Sequence, residues 1–315
     1  MSFLSTAVQQ ILTEGQFCAV ATSTPLGPHC TPLVFAYSGG RIWLTTSRGS
    51  VKARSWKADP SVAGLVRHGE LAVSFTGTVH MYDALDRSTW SAAVAGATSI
   101  ARAAAGFSRK NARFFAGYAF DARQVPLAWT PPGRVFVGID LARTSLLDDD
   151  GVQEGRGRWG GETDSTPTFR STKTGSDGLD GLPADIRRSL GDEGSGTLTL
   201  VGDRGPVVVP VRWRADGVSL VAALPAETLA LAEAGPTAAV ALTIDRASVW
   251  RARDMVGAMA QGDGSLYVLD DLGSGAKTAR ALAASIHPGA GALVRIQPNR
   301  LVWWRGWSSG SAALP

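Results

Sequence analysis

Along the first half of the chain, apolar and polar residues alternate in short runs that Gly, Pro, Asp and Ser separate, and a period of two bounded by turn residues predicts strands. From Leu4, LSTAVQQILTEG has helical spacing and ends in an acidic-Gly turn, which predicts a short amphipathic helix. A β-hairpin follows, Phe17 to Thr22 with Pro28 to Tyr37, then a third strand at Ile42 to Thr45 and a helix opening at Val51. Further strands are predicted at Val62 to Val66 and Leu71 to Met81, then a helical insert over about Ser88 to Tyr118 and a last strand from Arg134 to Leu141. Short strands at this spacing suggest a mainly β barrel or sandwich.

The pattern then recurs, and a repeat decides the fold before any motif does. Residues 41–64 lie without a gap on residues 217–240: Ile42 meets Val218, Leu44 meets Leu220 and Pro60 meets Pro236. Upstream, LSTAVQQILTEGQFCAV from Leu4 parallels LPADIRRSLGDEGSGTL from Leu182; downstream, VGIDLARTSLL from Val137 parallels VRIQPNRLVWW from Val294. The second copy has a hairpin at Thr197 to Val201 with Pro206 to Trp213, and a shorter insert at about Ser274 to Ile286. Between the copies, Asp148 to Gly181 is rich in Gly, Asp, Ser and Thr without apolar period, as a linker is. The expected organisation is a domain at 1–147, a linker at 148–181 and a second domain at 182–315.

Composition narrows the function classes. The 315 residues are 44% hydrophobic and 18% charged, with ample apolar material for two cores. A formal charge of +4 is far below what a dedicated nucleic-acid binder carries. Cys18 and Cys30 are the two cysteines, too few for a disulfide scaffold and in no zinc pattern. MSFLSTAVQQIL lacks a basic n-region and no apolar run approaches about 18 residues, so a cytoplasmic location without membrane contact is expected.

The charge is unevenly placed. Residues 41–70 hold six basic side chains (Arg41, Arg48, Lys52, Arg54, Lys57, Arg67) against Asp59 and Glu70, whereas residues 217–246 hold Arg246 against Glu227, Glu233 and Asp245. In the first copy a strand leads through Thr46, Ser47, Arg48 and Gly49 to Ser50, a helix N-cap candidate, with Lys52 in the first helical turn. Free N–H groups at a helix start, hydroxyls and nearby cations suit a phosphate. A solvated basic helix face with an ordinary cap fits the same residues, and both readings stay open at this point.

FCAVATSTPLGPHCTPLVFAY, RIWLTTSRGSVKARSWKADPSV and LAVSFTGTVHMYD together resemble the flavin-binding split barrels of the pyridoxamine 5'-phosphate oxidase-like superfamily. The resemblance is good over residues 4–81 and fair over Arg134 to Leu147, and it reaches the second copy through the repeat. It implies two tandem six-stranded split β-barrels paired as an intrachain pseudo-dimer, since such proteins are usually homodimers with flavins at the interface. It also implies phosphate contacts from Thr45, Thr46 and Lys52 with Ser50 in support, in a turn that includes Ser47. The family's second cation precedes the lysine, where Val51 stands, so Arg48 or Arg54 is expected to substitute. The ring system would run along Cys30, Thr31, Pro32, Leu33 and Val34, and Trp304 falls where the family places a tryptophan over the cofactor. The tail SSGSAALP lacks the Arg and His that the pyridoxal-forming oxidases use, which argues against that activity.

Other motifs carry less. Gly155, Gly157 and Gly160 spell GxGxxG, but in a polar linker rather than between strand and helix. His29, His68, His80 and His287 have no ligand spacing; a haem-handling branch of the split barrels would call on His68 or His80. Hydrolase and nucleotide-triphosphatase patterns are missing. Trp303, Trp304 and Trp307 read most simply as aromatics closing the second barrel, and Arg251, Arg253 and Asp254 as either cofactor-facing or an exposed face. The expected function is a flavin-dependent oxidoreductase with one FMN per chain and a small-molecule substrate. The reduced-deazaflavin cofactor is the second choice and haem the third; a non-catalytic flavin or tetrapyrrole carrier is the alternative. The expected state is a monomer acting as a pseudo-dimer, with a higher oligomer left open.

Overall fold

In the computed structural model, which describes residues 4–121, 123, 125, 133–159, 166, 168–169, 177–247 and 251–314, the alternating runs become strands and the helical runs short helices. The first copy comprises α1 (Thr6–Glu14), β1 (Phe17–Thr22), β2 (His29–Ser38), β3 (Arg41–Ser47), α2 (Val51–Ala58), β4 (Ser61–His68), β5 (Leu71–Tyr82), α3 (Trp90–Ala95), α4 (Ala97–Lys110), α5 (Ala112–Phe120), β6 (Arg134–Asp148) and β7 (Gly151–Arg156). The second comprises α6 (Ala184–Leu190), β8 (Glu193–Gly202), β9 (Gly205–Asp216), β10 (Ser219–Leu224), α7 (Ala226–Ala230), β11 (Thr237–Arg246), β12 (Val256–Val268), α8 (Ala276–Ile286), β13 (Ala292–Arg305) and β14 (Ser308–Ala313).

Each copy is one antiparallel sheet closed on itself. The strands run β3-β2-β1-β4-β5-β6-β7 and β10-β9-β8-β11-β12-β13-β14, and the pairings β3–β6 and β10–β13 close two six-stranded barrels with β7 and β14 appended. Closure removes the exposed edges that an open sheet would present. Each barrel bends at a bulge between Thr76 and Gly77 or between Gln261 and Gly262. Only glycine fits there, because an added Cβ would lie 2.2 Å from the Asp140 carbonyl oxygen at Gly77 and 1.9 Å from that of Gln297 at Gly262. Phe35, Ile42, Leu44, Val73, Phe75, Val137 and Ile139 fill the first barrel.

The barrels pack on each other through a continuous apolar core that joins Ala19, Ala21, Ala63, Leu65 and Leu147 to Leu198, Leu200, Val208 and Leu242. Polar groups fix the relative position. Ser74 Oγ donates to Val208 O (2.7 Å), Gln261 Nε2 to Pro28 O (2.8 Å) and Thr243 Oγ1 to Cys30 O (3.0 Å).

Two expectations shift. Residues 148–181 were expected to be linker throughout, but Asp148 Oδ1 accepts from the N–H groups of Asp150 and Gly151 and turns the chain into β7, which pairs with β6. Gly160 of the GxGxxG pattern lies outside the described residues. The copies also match with a different offset: the hairpin turns Gly39–Gly40 and Gly217–Val218 are equivalent, so Val218 is a turn residue and Ile42 corresponds to Leu220. Among the described residues, no helix is long and apolar enough to cross a membrane.

Candidate functional site

The turn after β3 is built by its own polar residues. Ser50 caps α2, its Oγ accepting from Ala53 N (3.1 Å) and lying 3.0 Å from Thr46 Oγ1, while Ser50 N donates to Ser47 O (3.0 Å). Arg48 N donates to Gly133 O (2.9 Å), which ties the turn to the start of β6. The cap aims the first turn of α2 inwards and carries Lys52 with it. The Lys52 side chain is only 3% exposed, and its Nζ donates to Thr31 Oγ1 (2.5 Å). Burial pushes this ammonium down to about 8, and among the described residues it has no carboxylate partner. A buried cation held by one neutral hydroxyl is poorly compensated, and an anion would relieve it.

The second cation is not one that the sequence singled out. Arg48 turns away to Asp83, with Nε and Nη2 each 2.8 Å from a carboxylate oxygen, and that fork holds the Asp83 carboxyl below its ordinary range. Arg54 is exposed on the outer side of α2. Arg134, the first residue of β6, instead donates from Nε to Thr45 Oγ1 (2.9 Å) and from Nη2 to Thr45 O (2.7 Å). Strand β6 pairs with β3 to close the barrel, so Arg134 sits opposite Ser47 and beside the turn.

Thr45, Thr46, Ser47, Ser50, Lys52 and Arg134 form one end of a cleft of about 420 Å³ between the barrels, within the range of small-molecule sites. Thr31, Pro32, Leu33 and Val34 line its floor. Strand β2 pairs with β3 only over Phe35 to Ser38, so the other edge of residues 31–34 is open to the cleft. Cys30 does not join them: its side chain is fully buried, its N–H points at Met259 Sδ (3.1 Å) and its carbonyl is taken by Thr243. His29 also lines the cleft, and burial with the Lys52 charge beside it pushes its imidazole down to about 3.

The far wall comes from the second copy and from the insert. Trp304 lines the cleft, lying over Gly257, where a Cβ would come within 2.2 Å of its ring. Trp303 and Trp307, expected to be closing aromatics, line it as well, with Phe114, Phe115 and Tyr118 of α5. Tyr118 meets Trp307 edge to face at 5.0 Å between centroids. Arg253 pairs with Asp121 (3.3 Å) and Arg251 lies over Phe120, so both clasp the end of α5 while Ala252 and Met255 face the cleft. His68 and His80 lie elsewhere, paired with Glu14 (2.9 Å) and Asp140 (3.0 Å).

Two closed barrels with a cation-bearing cleft between them define a tandem split-barrel protein. Residues 4–125, within the first barrel and its helical insert, match the family model for pyridoxamine 5'-phosphate oxidase. Among solved structures, it is similar to a FAD-binding protein from Mesorhizobium loti at 20% identity, covering 45% of this chain and 94% of that one, with a TM-score of 0.34. A pyridoxamine 5'-phosphate oxidase-related, FMN-binding protein from Nostoc punctiforme is 16% identical over 49% of this chain and 88% of its own, with a TM-score of 0.34. An F420 reductase is 20% identical over 44% of this chain and 94% of its own, with a TM-score of 0.29. No curated protein matches the chain.

Proposed function

We propose that the protein is an oxidoreductase that binds one flavin, FMN in the first place, in the cleft between its barrels and acts on a small-molecule substrate. The observation that carries this reading is Lys52: a buried ammonium with only the Thr31 hydroxyl as partner among the described residues, at the end of a cleft open to the outside. The flavin phosphate would take the Lys52 charge, the hydroxyls of Thr45, Thr46 and Ser50, and Arg134 in the role expected of Arg48 or Arg54. The open edge of Thr31 to Val34 offers backbone groups to the polar rim of the ring system, and Trp304 offers a face.

When bound, a flavin supplies hydride or single-electron transfer, and the chain supplies seat, orientation and exclusion of water. The aromatic wall of Trp303, Trp307 and Tyr118 keeps the cleft apolar opposite the phosphate end. The reduced-deazaflavin cofactor is the second candidate, because it presents a phosphate to the same turn. Arg54, exposed on α2 and without an acidic partner among the described residues, would meet its acidic tail. A visible spectrum of the purified protein, with mass spectrometry of the released ligand, tests the reading. A flavin or deazaflavin absorbance is expected; a Soret band, or FMN binding no tighter than millimolar to the ligand-free protein, contradicts it.

A further inference from the structure

The repeat of strand order and register gives the cleft beside Lys52 a counterpart in the second barrel. Equivalence of the two hairpin turns places Pro210 where Pro32 stands and Ser195 where Phe17 stands, and Pro210 and Ser195 line a separate cavity of about 260 Å³. Its chemistry has been exchanged for another. The lysine position holds Thr228, and the strand-to-helix turn shrinks from residues 48–50 to Pro225 alone, so no phosphate seat remains.

The polar groups in this cavity are unsatisfied in a specific way. Thr228 is 1% exposed, and its Oγ1 has no hydrogen-bond partner among the described residues. The Nε of Arg67 is likewise sealed from solvent without a partner, although Nη2 of the same side chain donates to Gly196 O. His287 lines the cavity with Nδ1 already accepting from Gly289 N (3.1 Å), which leaves Nε2–H as a donor in the neutral ring. The Thr228 hydroxyl and Arg67 Nε are buried donors without an acceptor among the described residues, which is destabilising unless something accepts from them. That something has acceptor oxygens.

A bare anion is nevertheless a poor match. Glu70, Asp148 and Asp149 line the same cavity against the two guanidiniums of Arg67 and Arg212. Asp149 already holds Arg212 at 3.3 Å, and Asp245, raised by its burial, offsets part of the Arg67 charge. A ligand that carries both signs satisfies both sets. We infer that the second cleft binds a free α-amino acid, its carboxylate taken by Thr228 Oγ1 and Arg67 and its ammonium by the acidic side chains at 148–149 and 70. The inference does not depend on which cofactor fills the first cleft.

Isothermal titration of the full chain with L-serine and L-glutamate, with acetate and ethanolamine as single-charge controls, tests it. At least one amino acid is expected to bind with a submillimolar Kd, and both controls at least about tenfold more weakly. Thr228→Val, which keeps the buried shape, and Asp149→Asn, at an exposed position, should each weaken that amino acid about fivefold or more at unchanged melting temperature. Lys52→Ala should leave it unchanged. The inference is overturned if neither amino acid binds at 10 mM, if acetate binds as well as the amino acid, if Thr228→Val has no effect, or if Lys52→Ala abolishes binding.

Discussion

The turn from β3 to α2 and the turn from β10 to α7 make the same crossing in two barrels of one fold, yet one gathers hydroxyls around a buried ammonium and the other does not. The first spends three residues, 48–50, and buries a lysine; the second crosses on Pro225 and buries a threonine. The second barrel closes equally well, with the same strand order and the same glycine at its bulge. The lysine and the longer turn are therefore not needed for folding. A charge buried without an opposite charge among the described residues works against stability, and for that reason the proposed phosphate is placed in the copy that holds Lys52.

Forcing the copies to converge should give the largest effect. Thr228→Lys places an ammonium at a site that lacks the seat, and it should cost roughly 3 kcal/mol or more of stability, read as a drop in the urea midpoint, without creating a second flavin site. Removing the difference from the other side comes next. Lys52→Ala should weaken FMN about ten- to a hundredfold, or about 1.5–3 kcal/mol, by equilibrium titration. Lys52→Met should also lose affinity, but it should raise the urea midpoint of the flavin-free protein at pH 7.

The pH dependence follows from the same lysine. Its folded value, about 8, lies below its ordinary 10.5, so folding opposes the protonated form. The flavin-free protein should gain stability from Lys52 as pH rises from about 8 towards 10.5, and should lack that gain below 8. Phosphate binding favours the protonated form, so FMN affinity should fall by up to about tenfold per pH unit above 8, and Lys52→Ala should flatten that slope. Lys110, which burial also pushes down to about 8, contributes to the stability curve but lies outside the cleft, so only the binding slope isolates Lys52. Among the smaller effects, Arg134→Gln should weaken FMN about five- to tenfold, while Arg54→Gln should change it less than about twofold. The reverse order would restore the expectation that Arg54 is the second cation.

What the sequence made legible was local. Hairpins, the Ser50 cap, the position of Lys52 and the recurrence of one strand-and-helix pattern all follow from residues within a few positions of one another. The parts that sequence reasoning missed depend on closure and packing. Arg134 reaches Thr45 only because β6 returns to pair with β3, and Arg48 is lost to the seat only because Asp83, at the end of β5, presents both carboxylate oxygens to it. Cys30 leaves the cleft floor because Thr243 of the second barrel takes its carbonyl. Trp303 and Trp307 join Trp304 because the second barrel's closing strands face the first barrel's turn. The two-residue slip between the copies came from matching apolar letters across a hairpin turn, where Val218 stands in the place of Gly40.

The asymmetry itself has a direct readout. Titration of flavin-free protein with FMN, followed by quenching of the tryptophans that line the cleft, should saturate at one FMN per polypeptide, and the Lys52→Ala variant should need about ten to a hundred times more flavin to reach the same point. Two equally tight FMN molecules per chain, or an unchanged affinity in Lys52→Ala, would contradict the assignment of the phosphate to the first barrel's turn.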